Sequence, residues 1–274
     1  MPELPEVETI RAQLAEVIPG WTIAHVRLLE PAMMAPAERR RLRGLVRGRT
    51  FASPGRHGKF LLLPLTGDVW LTVHLGMTGR ILVSSGRYVS HPHDRFVFRL
   101  VREGEKAWLV FRDPRKFGRL EVGESGPAAR VALLGPDAWL GEWDAESLAR
   151  RLQGRTAPIK ALLLDQRILA GVGNIYADES LFEAGIAPGR PAGTLDEAEV
   201  GRLAHALRLI LERGVQALGC SVADFVHVDG GMGSMQQELR AYRRQGQPCV
   251  RCGATMLRTV IAGRGTSYCP VCQT

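Results

Sequence analysis

Four cysteines near the C-terminus constrain this chain more than any other feature. Cys249-x2-Cys252-x16-Cys269-x2-Cys272 has zinc-ribbon spacing. Each Cys-x-x-Cys forms a knuckle that offers two thiolates to one tetrahedral Zn²⁺. The intervening residues suffice for a β-hairpin, with arms at Met256 to Ile261 and Thr266 to Cys269 and a tip at Ala262-Gly263-Arg264-Gly265. Four sulfurs fill the coordination shell, so one structural Zn²⁺ per chain is expected. A redox dithiol pair or an iron site is the alternative. Cys220 has no partner in sequence and reads as a small buried hydrophobe.

Length and charge narrow the rest. A chain of 274 residues allows two modest domains, or one domain plus a small module. A net charge of +8 points to a polyanion, and no amphipathic basic helix directs it to a membrane. From Leu239 to the end there are six arginines and no acid, so the ribbon is a candidate phosphate binder. Arg264 at the hairpin tip is the best placed; a solvated turn charge is the other reading. Of 36 basic residues only Lys59, Lys106, Lys116 and Lys160 are lysines, the ones able to lose a proton. No run approaches a membrane span, and Met1-Pro2-Glu3 lacks the basic start of a signal peptide. A soluble cytoplasmic protein is expected.

Periodicity predicts an α+β chain. Glu6 to Val17 reads as a helix with Val7, Ile10 and Leu14 on one face. Short strands follow at Thr22 to Leu29, Phe60 to Leu65, Val69 to Leu75, Arg80 to Val83, Arg95 to Val101, Ala107 to Phe111 and Arg119 to Val122. Strands at this spacing suggest a sandwich or barrel. After a Gly/Pro-rich linker the pattern turns helical: Ala145 to Leu152, Ile159 to Leu164, Ile175 to Ala184, Leu195 to Leu218 and Val222 to Phe225. Three domains are expected, at 1–125, 136–228 and 239–274.

Two further motifs carry chemistry. Pro2 becomes the N-terminus if Met1 is removed, which a small second residue permits. Its secondary amine could attack a sugar C1′ and form an iminium, with Glu3 beside it to move protons. Proline and acids also mark an ordinary helix start. The turn Gly171-Val172-Gly173-Asn174 precedes an apolar helix. Free N–H groups there suit a phosphate, and Asn174 could cap the helix or join the clamp. Helix–helix packing explains the same glycines.

Taken together the chain resembles the bacterial formamidopyrimidine-DNA glycosylase family, also called 8-oxoguanine DNA glycosylase/AP lyase. The resemblance spans the whole chain. Its markers are Pro2-Glu3-Leu4-Pro5-Glu6-Val7-Glu8-Thr9, Gly58-Lys59-Phe60-Leu61-Leu62, His74-Leu75-Gly76-Met77-Thr78-Gly79, Asp113-Pro114-Arg115-Lys116-Phe117-Gly118, Gly171 to Ala177, and the cysteine ribbon with Arg264. It implies an N-terminal β-sandwich domain with an N-terminal helix, a helix–two-turn–helix domain, and the zinc-ribbon hairpin. It implies a monomer in the bacterial cytoplasm, at the nucleoid, acting on double-stranded DNA that holds an oxidised base or abasic site. DNA would lie between the two domains with the damaged nucleotide flipped out.

The resemblance also assigns roles. Pro2 would be the nucleophile and Glu3 the proton donor, while Glu6 would hold the N-terminal segment. Lys59 would donate a proton in β-elimination or touch a phosphate. Arg264 would serve δ-elimination and lesion-phosphate binding, and the second suits its pKa better. Met77, Arg115 and Phe117 would fill the hole left by the flipped base. His93, Arg155, Lys160 and Asn174 would contact the DNA backbone, and Asp113 would be a structural hydrogen-bonder. Two departures stand out: Arg243 follows Tyr242 where the family usually has glycine, and Leu218-Gly219-Cys220 replaces the commoner glycine pair and hydroxyl residue. A sister group, endonuclease VIII, shares the Pro2 chemistry but usually has glycine where this chain has Leu4. A non-catalytic zinc-ribbon DNA binder is the reading from another class; the joint presence of Pro2, Glu3 and Lys59 argues against it.

Overall fold

Helix α1 (Leu4–Val17) begins where the sequence supplies two start signals, Pro5 in the first turn and a capping box between Glu3 and Glu6. That box starts the helix two residues earlier than periodicity alone predicts. Val7, Ile10 and Leu14 bury one face in the core of the first unit. The structure is a computed structural model that describes residues 1–221 and 225–274. It divides into two units, Met1–Leu133 with Ala217–Ser234, and Leu134–Gln216 with Met235–Thr274.

In the first unit two four-stranded antiparallel sheets supply the core. One has the order β1 (Thr22–Leu28), β6 (Asp94–Arg102), β7 (Glu105–Arg112), β5 (Arg80–Ser85). The other runs β2 (Gly55–His57), β3 (Phe60–Leu65), β4 (Val69–His74), β8 (Arg119–Glu124). Leu61, Leu63 and Leu65 alternate inward along β3, and Phe96, Phe98 and Leu100 do so along β6. Residues of both sheets, Leu63, Leu71, Phe98 and Leu109 among them, surround one small void, as in a sandwich. The Arg-rich helix α2 (Pro36–Val46) has no counterpart in the sequence reading. Of its residues only Leu42 and Val46 are buried, too few to print a helical period.

The described residues between 217 and 234 pack with this first unit, whereas chain order groups most of them with the helices. The Cys220 N–H donates to Glu6 Oε1 at 2.7 Å, and the Val228 N–H donates to Gln13 Oε1 at 3.0 Å. Most of the helical stretch expected at Val222 to Phe225 lies outside the described residues; Phe225 itself is not helical.

The second unit is built from α3 (Ala145–Leu152), α4 (Ile159–Leu164), α5 (Asn174–Ala184), α6 (Glu197–Gln216) and the hairpin β9 (Leu257–Ile261) and β10 (Arg264–Tyr268). Asp196 and Glu199 exchange side-chain bonds to each other's N–H groups and set the start of α6. Two turns join α4 to α5. Gln166 fixes both, donating to Leu164 O and Val172 O and accepting from the Gly171 N–H. The expected four-residue hairpin tip is shorter: only Ala262 and Gly263 form it. Both are left-handed, with φ of 50° and 70°, which suits a two-residue hairpin turn. Arg264 therefore opens β10, paired with Ile261.

Candidate active site

Glu6 organises the N-terminus. It is 1% exposed, and its Oε2 accepts the Glu3 N–H at 2.7 Å while Oε1 accepts the Cys220 N–H at 2.7 Å. One carboxylate thus ties the residue after Pro2 to the 217–221 strap. Gly219 lies so close that a Cβ there would meet Glu6 Cγ at 3.0 Å, and its φ is 86°. Pro2 and Glu3 are both buried at this start of α1.

Lys59 sits in the two-residue turn between β2 and β3, and is 5% exposed. The helix that Glu3 caps also braces this turn. Glu8, buried on α1, forms an ion pair with Arg56 at 2.9 Å, and Arg56 Nη1 donates to Gly58 O at 3.0 Å. Glu8 and Arg56 are 48 residues apart, and nothing local in the sequence pairs them. His74, also unassigned, packs against Phe60 in a tilted arrangement with ring centroids 4.8 Å apart. Burial first, then the nearby Lys59 charge, lower its pKa to about 4. Its Nδ1 faces the Gly76 N–H at 3.1 Å, an acceptor's position that fits a neutral ring.

Asp113 gathers the wedge candidates. It is fully buried, accepting from Thr78 Oγ1 at 2.5 Å and from the N–H groups of Arg115 and Gly118 at 3.2 and 2.8 Å. Gly76 has φ 65°, and a Cβ on it would meet the Phe117–Gly118 peptide at 2.5 Å. The loops carrying Met77 and Phe117 are therefore packed backbone against backbone. Phe117 is 52% exposed, an unusual position for a large apolar ring, and the Arg115 guanidinium lies 4.9 Å from its centroid. His93 is exposed beside them, its carbonyl accepting the Asp113 N–H at 2.9 Å.

In the second unit Arg155 and Arg264 are exposed, and Asn174 heads α5 with its Nδ2 donating to Gly265 O at 3.0 Å. Lys160 departs from expectation. Its ammonium is fully buried, 2.6 Å from Asp178 Oδ1 and 2.8 Å from Thr266 Oγ1. It cannot reach a phosphate from there. It anchors the strand that begins at Arg264, so the direct backbone contact expected of it is corrected to a positioning role. Burial pushes Asp178 up to about 6 in spite of this partner.

The cysteine cluster meets the geometry a metal requires. One ligand atom from each of Cys249, Cys252, Cys269 and Cys272 lies within 4.8 Å of all the others. Sγ separations of 3.9 Å (Cys249–Cys272) and 3.5 Å (Cys252–Cys269) are near the roughly 3.8 Å of a tetrahedral zinc–thiolate site. N–H groups of Arg251 and Cys272 point at Cys249 Sγ and Cys269 Sγ at 3.4 and 3.3 Å, stabilising thiolate charge.

Family models match three consecutive stretches. The formamidopyrimidine-DNA glycosylase N-terminal domain covers residues 1–120, its H2TH domain 134–225, and the zinc finger found in FPG and IleRS 246–274. The chain belongs to the formamidopyrimidine-DNA glycosylase family. A relative bearing that name from Moorella thermoacetica is 44% identical over 263 residues, 94% of each chain. A Lactococcus lactis Fpg complex with abasic-site DNA matches with TM-score 0.90 and 32% identity over 99% of both chains. A second Lactococcus lactis complex, with FAPY-dG DNA, matches with TM-score 0.89 and 32% identity over 99% of this chain and 100% of that one. Among the described residues no helix is long and apolar enough to cross a membrane.

Proposed function

We propose that this family member is a bifunctional DNA glycosylase and AP lyase that removes oxidised purines, 8-oxoguanine and formamidopyrimidines, from duplex DNA. The observation that carries the reading is the brace on α1: Glu6 holds the chain at Glu3, and Glu8 through Arg56 holds the turn of Lys59. With Met1 removed, the Pro2 nitrogen attacks C1′ of the flipped nucleotide as the N-glycosidic bond breaks and the base leaves. Glu3 supplies the proton that opens the sugar, leaving an iminium between Pro2 and C1′. Loss of a C2′ proton then expels the 3′ phosphate, and a second elimination expels the 5′ phosphate. Lys59 serves as the acid of the first elimination, and Arg264 binds the lesion phosphate through both.

Met77, Arg115 and Phe117 fill the vacated stack, and His93, Arg155 and Asn174 hold the strand. The four cysteines hold one structural Zn²⁺, whose chemistry is to fix the ribbon that presents Arg264. Functional modules at 1–125, 136–228 and 239–274, action as a monomer, and a place at the bacterial nucleoid belong to the same proposal.

The test is borohydride trapping on duplexes carrying 8-oxoguanine opposite cytosine or thymine glycol opposite adenine. A reduced adduct with the first is expected. Preference for the second assigns the endonuclease VIII specificity instead, and no adduct with either refutes the enzyme. Intact mass must show Met1 absent from active protein.

A further inference from the structure

Arg243 occupies a backbone position suited to glycine. Its φ is 60°, in the left-handed region that an arginine enters only at a cost. That backbone is not free to relax, because the Glu179 carboxylate, 1% exposed, accepts the N–H groups of Arg240, Ala241 and Tyr242 at 2.9, 2.9 and 2.7 Å. The held turn aims the Arg243 side chain over the Tyr242 ring, with Cζ 5.5 Å from its centroid. There it lines a polar cavity of about 270 Å³ with Asn174, Tyr242, Gln245, Arg258 and Gly265. Arg258 closes the opposite side, its guanidinium so near that a Cβ on Gly265 would meet Nη2 at 3.4 Å.

Two exposed guanidiniums thus share one cavity. Among the described residues neither has a carboxylate partner. Asp178, which accepts the Ser267 N–H at 3.2 Å beneath the cavity, is neutralised by Lys160. Arginines without carboxylate partners around a polar hollow suit an anion, and planar guanidinium donors favour phosphate.

We propose that Arg243, with Arg258, forms a phosphodiester-binding subsite that gives this chain one more DNA-backbone contact than a glycine at position 243 would allow. The inference rests on the DNA-binding reading above. Glycine at 243 removes the contact and relieves the backbone together, so binding and folding separate cleanly.

The experiment compares the full chain with Arg243→Gly and Arg243→Gln for binding a duplex with a tetrahydrofuran abasic analogue across ~50–300 mM salt. Each retained phosphate contact contributes about 0.9 to the slope of log K against log salt. Both variants should lose about that much slope and bind several-fold more weakly at low salt. Arg243→Gly should melt no lower than the parent. Unchanged slopes in both variants, with the parent still binding, overturn the subsite. A lower melting point with an unchanged slope assigns Arg243 to packing on Tyr242 and likewise overturns it. A parent that binds no DNA removes the glycosylase reading and this inference with it.

Discussion

Substituting Glu6→Gln tests the linkage on which the active site depends. The wild-type carboxylate accepts two backbone N–H groups, from Glu3 and Cys220, one on each oxygen and both at 2.7 Å. The amide has nearly the same shape but one oxygen. Whichever way it settles, an N–H of Gln faces one of those two N–H donors, and the surviving bond loses its charge. A charge-assisted hydrogen bond contributes about 1.5–3 kcal/mol, and a stranded buried donor costs about 1–3 kcal/mol. The losses overlap, so destabilisation of about 2–4 kcal/mol is expected in urea unfolding. The chemistry should suffer separately. Loosening Glu3 or the Cys220 strap displaces the reacting amine, and a displacement near 1 Å can cost about a hundredfold in rate. Single-turnover borohydride trapping, at a temperature where both proteins are folded, should be at least roughly tenfold slower. A stability loss under about 1 kcal/mol together with unchanged trapping would refute the argument.

Three further outcomes follow from the geometry. His74 stays neutral to about pH 4 in the fold and titrates near 6.5 when unfolded. The unfolded chain therefore takes up a proton the native one refuses, and stability falls as pH drops from 6.5 to 4, by on the order of 3 kcal/mol; His74→Gln should flatten that part of the profile. Lys160→Met strands the buried Asp178 carboxylate and should cost about 3–5 kcal/mol, with most of it recovered in Lys160→Met/Asp178→Asn; equal stability of single and double variants contradicts the pairing. Chelation should remove one zinc per chain and abolish binding of abasic-site DNA, with metal analysis and a binding titration as readouts; full binding by metal-free protein would count against a structural role.

What sequence patterns could reveal was what lies close along the chain. Phe60–Leu65 was read to the residue because alternation and flanking turns both mark it. The cysteine quartet was legible because knuckle spacing is a local property. Helix α2 escaped because its buried stripe is only two residues deep, and β2 because three residues carry no period. Lys160 was misplaced for a different reason. The resemblance sets Lys160 against the DNA backbone, and only the fold brings Asp178 and Thr266 around it. Glu8 and Arg56 went unseen on the same ground. The left-handed φ at both Leu218 and Arg243 gives a physical account of the two departures noted in sequence: each replaces glycine where backbone geometry favours it.

Those departures bear differently on the site. Leu218 has φ 56° and stands just before the Gly219–Cys220 contact with Glu6, where a side chain is half exposed and makes no polar claim. Arg243 pays the same conformational cost but places a charge in a cavity already held by Glu179. The chemistry at Pro2 needs an amine fixed relative to one sugar, and Glu6 and Glu8 provide that rigidity from one helix, through different neighbours. Phosphate contacts need charge more than rigidity, since a long guanidinium side chain adjusts to its partner. A residue such as Arg243 can therefore vary without disturbing catalysis, whereas Glu6 and the Glu8–Arg56 pair cannot. Trapping rate should accordingly respond to Glu8→Gln more than to Arg243→Gly when enzyme is in excess over saturating DNA. The reverse order would mean that strand grip, not the brace on α1, limits formation of the iminium.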